Sequence, residues 1–474
     1  MQETENMRQT DRLQLYLGTA KTDITPKRPI QLAGYGHRNG KVFEKVAHRL
    51  YARVFAFEQR DAEAASAQSG MNQADKRSFS DHIDGKVNGS GRRAVLIQAD
   101  FIWWGNDLTD RIQKSISQRW HLEQSAILLN ASHSHSGPQT SNDLLPSLGE
   151  LDREYIHQLE QAVLDAAAQA FDNMEPVTVE RSHGQCSVGI HRRRRIDGKV
   201  MNAPNPEGPV DSEVTVFRFR RTKPWGSSEQ EGSTKAVLFH YTCHPTVMGD
   251  FTVTSEFTGY AMEKLERELA NCGAIAAFLQ GCCGDVRPAL VKEERFYRGD
   301  EEDVARLGSE LADAVLHAMQ QPMEQLEIVP LQSRNSAVPL PFDQLPDEAM
   351  LRQWEHEEGY LGEWCRLMLS EPSRLAPTIP LRLSFVQLAH GLAFIAMNGE
   401  VVVDYGLYVK ELTKKQVLPL AYSNGMIGYV PTAKQLEEGG YESKDSFYYF
   451  GLPAPFSDEL ETRIKEGIRK IIEA

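Results

Sequence analysis

The feature that most restricts the fold of this chain is a set of short, near-continuous apolar runs, each stopped by a polar turn. Arg93 to Phe101, Ala126 to Leu129, Lys235 to Tyr241, Ala274 to Gln280 and Leu392 to Met397 are of this kind. A short apolar run with no polar face reads as a strand buried on both sides of a sheet. Between these runs the apolar spacing changes. In Asn106 to Trp120, Leu108, Ile112, Ile116 and Trp120 recur at i+4 steps, and in Arg153 to about Phe171, Ile156, Leu159, Val163 and Ala167 share one face. Thr258 to Asn271, Glu301 to Met319, Val401 to Leu412 and Ser457 to Ile472 also read as helices. Strand and helix in alternation predict the α/β class, with mixed α+β sheets flanked by helices.

The remaining stretches fill in the organisation. His48 to Glu58, Glu213 to Arg220, Leu381 to Leu388 and Val417 to Tyr422 read as further strands. Residues 14–36, with Asp23-Ile24-Thr25-Pro26 and the glycines at 34 and 36, read as a turn-rich loop whose His37 and Arg38 either line a site or, the favoured reading, are solvated. Asn202 to Pro209 is read as another loop, Gly226 to Thr234 as part of a polar insertion, and Pro346 to Ser370 as one acidic rim helix. His191 and the four arginines after it form the one basic cluster, expected on a solvated face or in ion pairs. With no repeat and no clear linker, the reading is one large catalytic domain over 14–474. It carries a polar tail at 1–13 and a flexible insertion at 62–92.

Charge and targeting signals narrow the function. Lysine plus arginine number 52 against 66 acidic residues, a formal net charge of −14, the opposite of a nucleic-acid footprint. No stretch is long and apolar enough for a transmembrane span. The amino terminus lacks an apolar signal core, and six irregularly spaced cysteines suit a reducing compartment. The expectation is a cytoplasmic protein.

The chemistry-bearing residues collect where apolar runs end. His133 and His135 follow the run Ala126–Leu129, His244 follows Lys235–Tyr241, and Glu400 follows Leu392–Met397. Ligands gather at the carboxyl ends of strands in α/β sheets. In an extended segment, residues i and i+2 share a side, so His133 and His135 can converge. Two histidines and a carboxylate with a position left for water make a recurrent hydrolytic zinc set. Spacing alone leaves other readings open. Cys282 or Cys283 with His135 could form a cysteine nucleophile, and the fold could bind a carbohydrate or partner without turnover. Cys243 could add a soft ligand, although adjacent residues on a strand point apart.

Several motifs in order resemble the neutral/alkaline (non-lysosomal) ceramidase family in its catalytic amino-terminal domain. They are Ala20-Lys21-Thr22-Asp23-Ile24-Thr25-Pro26, Leu50-Tyr51-Ala52-Arg53-Val54, Ser132-His133-Ser134-His135-Ser136-Gly137-Pro138, Gln280-Gly281-Cys282-Cys283-Gly284-Asp285-Val286, Asn398-Gly399-Glu400 and Tyr429-Val430-Pro431-Thr432. The resemblance implies zinc ligands at His133, His244, Glu400 and Tyr429. It implies that His135 faces the reacting carbonyl as general base, that Tyr441 steadies the oxyanion, and that Arg192 of the basic cluster lies near the site. A metal-activated water would then attack an N-acyl amide. Asp285 is expected either to orient a ligand histidine from behind or to cap a turn.

Two departures bear on the substrate. Family members carry a serine directly after Gly-Asp-Val, and here that position is Arg287. A fixed cation with five donors suits a carboxylate, phosphate or sulfate. The chain is also expected to lack the carboxyl-terminal β-sandwich of ceramidases. Together these favour a small polar or anionic N-acyl substrate over ceramide, which remains the alternative.

Overall fold

The structure, a computed structural model, describes residues 13–61, 92–222 and 232–474. The tail at 1–12, the insertion apart from Arg92, and residues 223–231 lie outside the described residues. The principal strands are β1 (Leu13–Asp23), β2 (Tyr51–Asp61), β3 (Arg93–Ala99), β4 (Ile127–Ala131), β5 (Glu175–Gln185), β6 (Gly189–Ile196), β7 (Lys199–Asn205), β8 (Glu213–Arg221), β9 (Thr234–Tyr241), β10 (Ile275–Gln280) and β11 (Val286–Pro288). They continue with β12 (Ile328–Pro341), β13 (Thr378–Ala389), β14 (Leu392–Met397), β15 (Glu400–Val401), β16 (Val417–Leu420) and β17 (Tyr429–Val430). The helices are α1 (Asn106–Trp120), α2 (Arg153–Asp172), α3 (Glu256–Glu268), α4 (Glu301–Gln320), α5 (Glu348–Trp354), α6 (Tyr360–Ser370), α7 (Val403–Leu412), α8 (Ala433–Glu438) and α9 (Glu459–Glu473).

Two sheets lie face to face between helices. The larger runs β10-β9-β8-β5-β1-β2-β3-β4 and the smaller β12-β13-β14-β16. Leu15, Leu17, Phe55 and Phe57 of the large sheet meet Val386, Leu388, Phe394 and Leu418 of the small one. On its other face the large sheet carries α1 and α2, through Ile112, Leu159 and Val163 against Val54, Ile97 and Leu129. Helices α3 and α4 cover its other half through Leu265, Leu307 and Leu311. Helix α9 covers the small sheet through Ile464 and Ile468. The period-2 alternation of β2 explains the near-continuous apolar runs: Val54 and Ala56 face helices while Phe55 and Phe57 face the second sheet. Both faces of the strand are core. The class is α/β, and no described helix is long and apolar enough to cross a membrane.

Several expectations change. Residues 13–23 form a long strand within what reads as a turn-rich loop, because Thr19, Lys21 and Thr22 hide its alternation. β12 carries Pro330 and Pro339, which are tolerated because this is an edge strand of the small sheet. The loop expected at 202–209 begins as β7. The acidic helix is two helices, because the polar stretch Glu355 to Gly359 interrupts its apolar face.

The edge strands β4 and β10 are brought together by two buried amides. Asn130 Oδ1 accepts from Gln280 N at 2.9 Å, and Asn130 Nδ2 donates to Ala421 O and Ser423 Oγ. Gln280 Nε2 donates to Ser132 O at 2.8 Å and to Cys243 O at 2.9 Å. Both side chains are fully buried. Four strand ends, those of β4, β9, β10 and β16, are thereby tied at one point.

Gln280→Leu keeps the volume but leaves the Ser132 and Cys243 carbonyls without this donor. Each unsatisfied buried acceptor costs about 1–3 kcal/mol, so urea unfolding should show a loss of roughly 2–5 kcal/mol. Exposed Gln161→Leu should stay within about 0.5 kcal/mol, and a comparably small loss for Gln280→Leu would contradict this role.

Candidate metal centre

The strand ends tied by Asn130 and Gln280 deliver three imidazoles and a carboxylate to one place. His133 follows β4, but it does not lie in an extended segment: its φ of 70° is in the left-handed region. A non-glycine residue held there costs on the order of 1–3 kcal/mol. The bend, not the strand alternation expected from HxH, turns His133 and His135 onto a common point. Their Nε2 atoms stand 3.1 Å apart. His244 follows β9, and the potential ligand atoms of His133, His135 and His244 all lie within 4.8 Å of one another. Glu400, on β15, sets its Oε2 at 3.3 Å from His133 Nε2 and 3.4 Å from His244 Nε2.

Hydrogen bonding on the far side of the rings fixes their tautomers. His133 donates its Nδ1–H to Ile102 O at 2.8 Å, and His244 donates its Nδ1–H to Cys283 O at 2.6 Å. A carbonyl only accepts, so in the neutral rings the Nε2 atoms present lone pairs to the centre. This backing by carbonyls is the arrangement that orients metal-ligating histidines. His244 Nε2 and Glu400 Oε2 have no hydrogen-bond partner although both are buried. Lone pairs and a carboxylate converging in a buried site repel unless a cation lies among them. The donor set of imidazole nitrogens and carboxylate oxygen suits zinc.

Burial opposes the charge on Glu400, but His133 and His244, when they carry the positive charge that a cation would otherwise supply, hold its carboxyl well below the usual range. Burial, with His133 and His244 adding to it, keeps His135 well below the ordinary histidine pKa. Two glycines make the approach possible. Gly34 has φ of 92°, and a Cβ there would stand 2.4 Å from His135 Nδ1. A Cβ on Gly284 would stand 2.9 Å from Glu400 O.

Tyr429 on β17 pairs directly opposite Glu400 in a parallel register. Its hydroxyl accepts from Arg192 Nη2 at 2.9 Å. Burial pushes the Tyr429 phenol up, and Arg192 pulls it the other way. The basic cluster divides along β6. Arg192 and Arg193 are buried and clasp one carboxylate, Glu442, at 2.8 and 2.7 Å, while Arg194 and Arg195 face outward. Tyr441, beside Glu442, packs its ring edge-on to Tyr429 at 5.5 Å and is 36 % exposed, so an incoming molecule can reach it.

The remaining residues singled out from the sequence divide between the rim of the centre and the structure behind it. Asp285 touches none of the three clustered histidines. It accepts from Val403 N at the start of α7 and from Gln435 Nε2, and its histidine neighbour is His191 at 3.3 Å. It anchors the segment behind Glu400. Arg287 on β11 lies over the Phe296 ring at 4.3 Å. Cys282 and Cys283 are buried, and burial pushes both thiols up, which makes them poor nucleophiles. Cys243 points its sulfur at His244 O, outside the histidine cluster. His37 is exposed, but Arg38 is buried and donates to His135 O at 2.7 Å, correcting the solvated expectation. Sequence reasoning passed over Glu442 and assigned no role to Gln280 or to Tyr422, whose ring stacks on His133 at 3.9 Å. The only signal for Glu442 was its place directly after Tyr441.

Residues 15–296 match the family model described as neutral/alkaline non-lysosomal ceramidase, N-terminal. No curated protein matches the chain. The structure is similar to that of neutral ceramidase from Pseudomonas aeruginosa, with a TM-score of 0.69 and 15% identity, covering 96% of this chain and 73% of that one. A ceramidase complexed with C2 is similar at a TM-score of 0.71 and 15% identity, covering 97% and 76%. At that identity the likeness is one of fold.

Glu442 supplies a test of the clasp. Burial raises its pKa, and Arg192 with Arg193 more than offset this, leaving it below 4.5. The unfolded chain therefore takes up the proton first, and stability rises with pH through this window. Glu442→Ala leaves two buried arginines without their shared carboxylate and should cost about 3–5 kcal/mol at pH 7. Against Glu442→Gln, the wild-type advantage should be full above about pH 5 and shrink as pH falls through the lowered pKa. A gap independent of pH would contradict the clasp.

Proposed function

The chain belongs to the neutral/alkaline non-lysosomal ceramidase family, and on that premise we propose that it is a zinc-dependent amidohydrolase cleaving the N-acyl bond of a small polar or anionic substrate. The observation that carries this reading is the clustering of the ligand atoms of His133, His135 and His244, with Glu400 Oε2 at 3.3 and 3.4 Å from the Nε2 atoms of His133 and His244, both of these rings backed by carbonyls. His133, His244, Glu400 and Tyr429 would hold the ion. When bound, zinc supplies Lewis acidity, lowering the pKa of a water toward ~7 and polarising a carbonyl.

The other residues handle protons and orientation. His135 is kept neutral by burial and by its histidine neighbours, so its Nε2 can take a proton from the attacking water and return it to the leaving amine. Tyr35 packs against its ring at 4.8 Å, and Arg38 fixes its backbone carbonyl. Tyr441 offers its phenolic O–H to the charge that develops on the amide oxygen. Arg192 donates to Tyr429 Oη, favouring the oxygen as a ligand. Hydrolysis of ceramide itself is the second reading, favoured by the family and by the fold shared with named ceramidases.

Elemental analysis should find about one zinc per chain, lost in His133→Ala and Glu400→Ala together with amidase activity on a panel running from N-acetyl amino sugars to short-chain ceramide. Tyr441→Phe should keep its zinc and lose about 10²–10³-fold in kcat. Chelation should abolish turnover, whereas thiol alkylation of the native protein should not. Protein that keeps its activity after complete metal removal would overturn the reading, and the responding panel member chooses between the two substrates.

A further inference from the structure

The wall of the centre beside His135 is cationic and holds no ion pair. Tyr35, whose ring packs on His135, has the guanidinium of Arg38 over it at 4.8 Å and that of Arg298 at 5.7 Å. Arg287 directly follows Val286, whose carbonyl accepts from His244 N at 3.0 Å, and its strand pairs with the one that carries Arg192, so it stands beside the centre with Tyr35 and Arg298 within electrostatic reach. Among the described residues none of these three forms a salt bridge. Arg38 donates only to the carbonyls of Ala33, His135 and Asp250, and its Nη2 is buried without a partner. Arg298 donates to Gly249 O and lies against His37. The Arg287 guanidinium makes no hydrogen bond, and its Nε is buried. The nearby acid Glu256 uses its oxygens on Val247 N and Met248 N.

Of the three, Arg38 is buried, Arg287 partly buried and Arg298 exposed, and elsewhere the buried arginines are treated differently. Arg53 pairs with Asp100 at 2.9 Å, and Arg192 and Arg193 share Glu442. Burying a guanidinium without a counter-charge is costly, and the chain has an excess of acids from which to supply one. A planar fork of donors matches a carboxylate, phosphate or sulfate.

We propose that Arg287, backed by Arg298 and Arg38, forms an anion subsite on the rim of the metal centre, and that the substrate is an N-acyl compound whose amine half carries an acid group near the scissile bond. The assignment to the amine half rests on the hydrolase reading: His135 protonates the leaving amine, and the cationic wall is built around the tyrosine that packs on His135. The acid itself is a carboxylate or a phosphate.

The test has a turnover arm and a binding arm, both on the metal-loaded protein. N-acetylglycine, N-acetyl-O-phosphoethanolamine and neutral N-acetylglycinamide are compared in the wild type, Arg287→Gln and Arg298→Gln, with zinc content and thermal midpoint measured for each. At least one acid should exceed the neutral amide ten-fold or more in kcat/KM, and the preference should collapse toward unity in Arg287→Gln. Which acid responds separates carboxylate from phosphate. Calorimetric binding of inorganic phosphate should weaken at least ten-fold in Arg287→Gln at unchanged zinc content. If no compound is hydrolysed but phosphate binds through Arg287, the subsite stands and the hydrolase reading falls. Equal turnover of acid and neutral substrates, phosphate binding indifferent to Arg287, or no phosphate binding by the wild type overturns the subsite. Should Arg287→Gln fold poorly, Arg298→Gln carries the same comparison.

Discussion

Two side-chain amides, Asn130 and Gln280, do between the edges of the large sheet what a backbone ladder does elsewhere. β4 and β10 sit at opposite ends of the strand order, and nothing in a twisted sheet requires their ends to meet. The Gln280 amide is committed to Ser132 O and Cys243 O, one on each chain segment leading to a clustered histidine. Asn130 links the same point to the segment that carries Tyr422. A buried polar pair of this sort specifies geometry because every alternative arrangement leaves an amide unsatisfied. The positions of His133 and His244 depend on it.

On this base the centre is assembled from unfavourable pieces that support one another. His133 is held at positive φ, Glu400 Oε2 is buried without a hydrogen bond, and the carbonyl-backed rings of His133 and His244 turn their Nε2 atoms toward it. Each costs stability in isolation, and each is what a cation-binding site requires. The second ring of contacts limits movement. Asp285 holds the start of α7 just beyond Glu400, while Glu442 holds Arg192 against Tyr429. The acidic residues near the centre are therefore occupied with arginines and backbone amides, and the arginines around Tyr35 are left without carboxylates.

Much of this was legible in the sequence where physics leaves a local signature. Buried strands between two layers read as apolar runs, and His133, His135, His244 and Glu400 stand out because each ends such a run. α1 appears with its boundaries because its i+4 apolar spacing is uninterrupted. What stayed hidden depends on partners distant in the chain. Arg38 reads as a surface residue until the His135 carbonyl is placed beside it, and Arg192 cannot be told from Arg195 until Glu442 chooses between them. β1 and β12 were missed because polar residues and prolines mask strands of which one face, or one edge, is exposed.

Everything proposed for this centre requires that His133, His244, Glu400 and Tyr429 hold one cation, with His135 beside it. Diffraction from crystals of the purified protein, recorded on either side of the zinc absorption edge, addresses this directly. The account predicts a single anomalous peak within about 2.0–2.2 Å of Nε2 of His133 and His244 and of a Glu400 oxygen, and its absence in Glu400→Ala crystals. Crystals from zinc-containing solution with no peak there, or with a peak held by other residues, would contradict it.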